Sequence, residues 1–178
     1  MNYKVVKSDL IFKGKVFSTI LNQIEYNSGN KAVREVAEHP GGAVIVPVTE
    51  DGKIVMVTQH RFPMNKTLLE LPAGKLNKDE DPFICAVREL EEETGYKSDK
   101  VTELGSIFTT PGYSTEKLWI YLAEDLKEGN HNREEGEFGM EVFEFSLNEV
   151  EEKIYKGEIV DGKTICGIYL AKRIINKK

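Results

Sequence analysis

A chain of 178 residues, 40% of them hydrophobic, is long enough to bury one core and to carry a small appendage. Its net charge of −6 and pI near 5.3 argue against nucleic acid or an anionic membrane surface as the main partner, since both would repel it. The opening MNYKVVKSDL lacks the apolar segment of a signal peptide and no run reaches the length of a membrane span, so a cytoplasmic protein is expected.

Residues 3–13 and 16–26 alternate well enough for two strands joined at Gly14-Lys15. Asn27-Ser28-Gly29-Asn30 is a turn signal, and 31–38 reads as a third strand. This meander ends at His39-Pro40-Gly41-Gly42, a natural boundary between an N-terminal sheet region, 1–40, and a main domain, 41–178. A three-stranded sheet with one apolar face is marginal alone, so it must fold back onto the main domain or cross to a second subunit. Residues 43–48 and 54–58 then read as an apolar hairpin around Glu50-Asp51-Gly52. Their unbroken hydrophobicity predicts central strands covered on both faces. Gln59-His60-Arg61 follows, which makes Arg61 either a strand-end cation facing a site or a solvated arginine.

The stretch 74–96, GKLNKDEDPFICAVRELEEETGY, predicts a loop feeding a helix. Asp81 suits the N-cap, Pro82 the first turn and Gly95 the end. On a helical wheel Phe83, Ala86, Val87, Leu90 and Thr94 share one face, and Glu89, Glu92 and Glu93 share the adjacent one. Like charges at that spacing repel, and only Arg88 can pair, with Glu92 one turn on. One reading is an ordinary glutamate-rich surface helix. The other is a site for a divalent cation, with hard oxygen donors selecting Mg²⁺ or Mn²⁺ over zinc. A carbonyl beside Gly74 can approach such an ion closely, because glycine imposes no Cβ.

Further on, 101–109 and 117–123 read as strands around Thr110-Pro111-Gly112-Tyr113-Ser114. A polar loop, 127–139, carries Glu134, Glu135 and Glu137, and loops of that length are functional or disordered. A strand at 140–146 precedes helices at about 147–156 and 163–175. Cys85 and Cys166 read as small core hydrophobes rather than a disulfide, and His39, His60 and His131 are too dispersed for a zinc-type cluster.

The helix and its approach fill the pattern G-x5-E-x7-R-E-U-x-E-E-x-G-U, U being a bulky apolar residue, with Tyr96 as a packing variant in the last slot. Seven fixed positions at roughly 7% usage each give a chance match on the order of 10⁻⁸ per start, so coincidence is not the explanation. On these residues the chain resembles the Nudix hydrolases over most of its length. The resemblance implies an α/β fold, a mixed sheet sandwiched between helices, here preceded by an antiparallel meander. It also implies Mg²⁺-assisted hydrolysis of a nucleoside diphosphate linked to another moiety, with Mn²⁺ as a substitute.

Flanking residues resemble the ADP-ribose pyrophosphatase branch: Pro111 in a Pro-Gly-aromatic-Ser context, Arg34-Glu35 in the N-terminal strands, Gln59-His60-Arg61 at a strand end, Glu70-Leu71-Pro72-Ala73-Gly74 entering the motif, and an acidic late loop. The resemblance implies that Glu89, Glu93 and Glu92, with the Ala73 carbonyl, hold metal while Arg88 orients the carboxylates. It further implies that Gly74 shapes the approach, that Arg34, Glu35, Arg61 and Pro111 serve the substrate, and that Glu135 or Glu137 is the general base. Glu80 is expected to do little beyond loop structure or distant metal support. ADP-ribose would give AMP and ribose 5-phosphate. GDP-mannose-type relatives share several of these features, so another nucleoside diphosphate derivative is the alternative substrate. A non-catalytic ADP-ribose sensor is the alternative of another class, and the complete set of glutamates weighs against it. In that branch the N-terminal sheet crosses between subunits, which implies a homodimer.

Overall fold

The computed structural model describes residues 2–130 and 139–175. Its first strands, β1 (Tyr3–Lys13), β2 (Ser18–Tyr26) and β3 (Lys31–Glu38), pair in order as an antiparallel meander. Val5, Leu10, Phe12 and Val33 in this sheet are each at least half exposed, as expected of a sheet with no layer of its own to pack on. The chain separates into two compact units: Met1–Gly41 with Phe108–Lys117, and Gly42–Ile107 with Leu118–Lys178. Within the first, Ala37 N donates to the Tyr113 carbonyl at 2.7 Å and Thr115 N to the Ala37 carbonyl at 3.0 Å, tying the Pro111 turn to the end of β3.

The second unit contains β4 (Gly42–Pro47), β5 (Ile54–Arg61), β6 (Lys66–Glu70), β7 (Ala73–Lys75), α1 (Pro82–Thr94), β8 (Tyr96–Lys97), most of β9 (Lys100–Phe108) and β10 (Lys117–Glu124), β11 (Lys127–Glu128), β12 (Val142–Phe145), α2 (Leu147–Tyr155) and α3 (Gly162–Ile175). One sheet runs β7–β4–β10–β9, with β4 parallel to β10 and antiparallel to β7; another runs β12–β5–β6, antiparallel throughout. Every residue of β4 is buried. Ala43 and Ile45 pack against Cys85, Ala86 and Leu90 of α1, while Val44 and Val46 pack against Ile54, Met56, Val150 of α2 and Ile168 of α3. Side chains alternating to two apolar layers explain the uninterrupted hydrophobic run.

The expected hairpin of 43–48 with 54–58 does not form. A single bridge, Val48 to Ile54, joins the two segments, and beyond it they belong to different sheets. Thr49 N donates to the Lys53 carbonyl and closes the turn. Both edges of β4 are already taken by β7 and β10, so β5 packs across its face instead of beside it. The apolar face of α1 also differs from the expectation. Phe83 is exposed, and the buried face runs through Cys85, Ala86, Glu89, Leu90, Glu93 and Thr94. Two of the glutamates therefore lie on the side of the helix that meets the protein.

Candidate active site

Local signals place α1. The Asp81 carboxylate accepts from Phe83 N at 2.8 Å, Pro82 needs no donor in the first turn, and Gly95 ends the helix at φ 75°. β7 lies antiparallel to β4, with Gly74 opposite Ala43, and α1 packs over both. This lays Glu89 directly against Gly74: an ideal Cβ there would stand 1.7 Å from Glu89 Oε1. One turn on, Glu93 is 1% exposed, and its Oε2 accepts from Ala73 N at 3.0 Å. Glycine and alanine in the entry segment are what let two carboxylates come this close to the backbone.

Arg88 organises the remaining acids. Its Nε and Nη2 donate to the two Glu80 oxygens at 2.9 and 3.1 Å, and its Nη1 donates to Glu89 Oε1 at 2.6 Å and Glu92 Oε2 at 2.8 Å. The bond to Glu80, ahead of the fields of Glu89 and Glu92, raises the proton affinity of the guanidinium further. The same bond holds the Glu80 carboxyl below its ordinary range, against the effect of burial. Asn77 N donates to Glu80 Oε2 at 2.8 Å, so the loop before α1 is tied to the helix through Glu80 and Arg88. Glu80 thus tethers the loop to Arg88. The signal was its place eight positions before Arg88, which bends back onto it. Cys85, packed against the same segment, has its thiol pushed up to about 12, by burial first and Glu89 second.

Among the described residues, no group of three or more His, Cys, Asp or Glu side chains is gathered around a cation position, and Arg88 holds Glu89 and Glu92. The donor set still fits a hard divalent ion: carboxylate oxygens from Glu89, Glu92 and Glu93, and the Ala73 carbonyl beside a glycine. Arg61, at the end of β5, is neither a bare solvated cation nor isolated. Its Nε and Nη2 donate to both oxygens of Glu70 at 2.8 and 2.5 Å, which raises its proton affinity despite burial. Glu70 also accepts from Lys163, and Leu71 N donates to Thr164 Oγ1 at 2.9 Å. Sequence reasoning did not find the partners on α3. A lone acid in the apolar run Leu68-Leu69-Glu70-Leu71 and the cap-like Asp161-Gly162-Lys163-Thr164 were the available signals.

Arg34, Glu35 and Pro111 belong to the first unit. Arg34 donates to the Tyr26 hydroxyl at 2.6 Å and to the Val33 carbonyl at 2.8 Å, while Glu35 and Pro111 are exposed. Glu134, Glu135 and Glu137 lie outside the described residues.

A sequence model of the NUDIX domain matches residues 32–166. The ADP-ribose pyrophosphatase of Bacillus subtilis (strain 168) is 40% identical over 167 residues, 93% of this chain and 90% of that protein. The methanol dehydrogenase activator of Bacillus methanolicus is 39% identical over the same length, with the same coverage. A crystal structure described as that of an ADP compounds hydrolase superposes with a TM-score of 0.87 over 99% of this chain and 96% of that one, at 17% identity, a likeness of fold alone.

Proposed function

The chain belongs to the NUDIX domain family, and from that premise we propose that it is a Mg²⁺-dependent hydrolase, cytoplasmic and homodimeric, that splits the pyrophosphate of ADP-ribose into AMP and ribose 5-phosphate. The observation that carries this reading is the seating of Glu89 on Gly74 and of Glu93 on Ala73 N, with Arg88 fixing Glu89 and Glu92 beside them. The likeness to the B. subtilis protein supports ADP-ribose as the substrate. Glu89, Glu92, Glu93 and the Ala73 carbonyl would hold Mg²⁺, with Mn²⁺ as a substitute. When bound, that ion neutralises the pyrophosphate and acidifies the attacking water.

Arg88 keeps the carboxylates converged, so that their mutual repulsion does not spread them. Glu135 or Glu137 takes the proton from the attacking water as the bond to phosphorus forms, and the phosphoryl–oxygen bond to the leaving group breaks. Arg61 carries positive charge toward the substrate phosphates. Arg34 and Glu35 serve the nucleotide from the N-terminal sheet, exchanged between subunits, with Pro111 shaping the adjoining turn. The test is a product assay with Mg²⁺ over ADP-ribose, GDP-mannose, NADH, Ap4A and 8-oxo-dGTP. AMP and ribose 5-phosphate from ADP-ribose, in preference to cleavage of the others, are expected. Binding of ADP-ribose without turnover would leave the sensor reading in its place.

A further inference from the structure

Glu70, 1% exposed, accepts from two cations, Arg61 and Lys163. Arg61 grips both its oxygens through Nε and Nη2, and Lys163 Nζ reaches Oε2 from the first turn of α3. Lys163 is itself sheltered, with a side chain 11% exposed, and it donates to Asp161 Oδ2 at 2.9 Å. Asp161 is the N-cap of that helix: its Oδ2 accepts from Thr164 N at 3.0 Å and from Thr164 Oγ1 at 2.6 Å. The ammonium is therefore fixed by the start of a 14-residue helix rather than carried on a loose side chain.

A bidentate guanidinium–carboxylate pair shares one plane, so whatever sets the plane of the carboxylate also sets that of the guanidinium. Lys163 on Oε2 supplies that constraint from a third direction. Arg61 has spent one edge on Glu70. Among the described residues its Nη1 has no protein partner, and its side chain is one-third exposed. Glu70 ends β6 three residues before Ala73, whose N–H donates to Glu93, so the pair stands on the segment that enters the candidate site.

We propose that Lys163 is a positioning residue for the hydrolysis: it fixes the Glu70 carboxylate, which aims the outer edge of Arg61 at a phosphoryl oxygen of the substrate. The inference rests on the hydrolase reading above. A salt-bridge cluster that served only the fold would hold stability and leave substrate affinity alone, and the split between KM and kcat separates the two.

The full-length chain carrying Lys163→Met is assayed with ADP-ribose and Mg²⁺, beside wild type and Lys163→Arg. Loss of a ground-state phosphate contact raises KM about five- to twentyfold with kcat within about twofold, and Lys163→Arg, which returns a cation to Glu70, brings KM back to within about threefold. Unchanged KM in folded Lys163→Met protein, or a fall in kcat alone, overturns the proposal. If Lys163→Met does not fold, Lys163→Gln, a shorter neutral side chain that suits the polar surroundings without returning the ammonium, is read by the same criterion. Calorimetric titration of ADP-ribose with Mg²⁺ omitted separates the two readings. A wild type that binds but does not cleave refutes the hydrolase, while weaker binding by the variant still supports Lys163. A wild type that cleaves, with a variant of unchanged KM, refutes Lys163 alone. A wild type that neither binds nor cleaves ADP-ribose overturns both.

Discussion

Gly74 and Glu89 approach so closely that no side chain fits between them, a Cβ on Gly74 falling 1.7 Å from Glu89 Oε1. The atoms in the way are the far end of a flexible side chain, so Gly74→Ala is relieved by swinging the carboxylate aside. The fold loses little, and the thermal midpoint should move by only about 3 °C or less. The carboxylate, however, leaves its seat against Gly74. Turnover of ADP-ribose should fall about 10- to 10²-fold, since small misplacements of catalytic groups cost on that scale. Paired measurements of melting and kcat check it; full activity would separate this contact from function.

Glu93→Gln should cost more. The amide can still accept from Ala73 N, where Glu93 Oε2 now accepts at 3.0 Å, so the local structure is kept and one negative charge is lost. A metal ligand stripped of charge should lower kcat at least about 10²-fold, and EDTA should abolish the wild-type rate. Activity that survives either treatment would remove the metal from the mechanism.

Glu135→Gln or Glu137→Gln should lower kcat strongly and leave KM nearly unchanged, the pattern of a group that acts in the chemical step. Steady-state kinetics on both variants and on Glu134→Gln check it. Normal turnover in all three would move the base off this loop.

The helix was legible because its signals are local: Asp81, Pro82 and Gly95 bracket it, and the spacing of Glu89, Glu92 and Glu93 fixes their relative placement. The strands of the N-terminal meander were legible for the same reason, alternation broken by Gly14 and by the Asn27–Asn30 turn signal. What the sequence hid is pairing at a distance. The segments 43–48 and 54–58 look like hairpin partners, yet Val46 and Met56 pack face to face because β10, some seventy residues on, takes the edge of β4. Glu70 finds Lys163 across 93 residues, and no periodicity announces such a pair. The helical wheel groups Phe83 with Ala86, Leu90 and Thr94, but the buried face is centred toward Glu89 and Glu93 and leaves Phe83 outside.

Asp161 makes acid stability testable. Burial alone would raise its carboxyl, but the Lys163 ammonium and the Thr164 donors outweigh that and hold it below its ordinary value of 3.8. A group depressed by folding contributes stability above the unfolded value and loses it as pH falls through the folded one. Asp161→Asn should therefore cost about 1–3 kcal/mol near neutral pH, the scale of hydrogen bonds to a charged group. The gap from wild type should shrink as pH falls below 3.8. Urea melts at pH 7 and at lower pH check it; a constant gap would assign the loss to packing.

The meander exposes Val5 and Leu10 on one face and Phe12 and Val33 on the other, apolar surface that a symmetric partner would cover. It also carries Arg34 and Glu35, so a swapped sheet would deliver them to the other subunit's glutamates. Arg34→Ala disables only the arm of such a composite site, and Glu93→Gln only its metal end. When the two proteins are mixed equally and allowed to exchange, half the dimers are mixed, and each mixed dimer has one site with both parts intact. ADP-ribose hydrolysis should then recover toward about a quarter of the wild-type rate from two nearly inactive parents. If Arg34 acts within its own chain, each mixed dimer has one site lacking Arg34 and one lacking Glu93, and nothing is regained. Light scattering decides the oligomeric state first. A monomer, or no recovery after subunit exchange has been demonstrated, would refute the shared site.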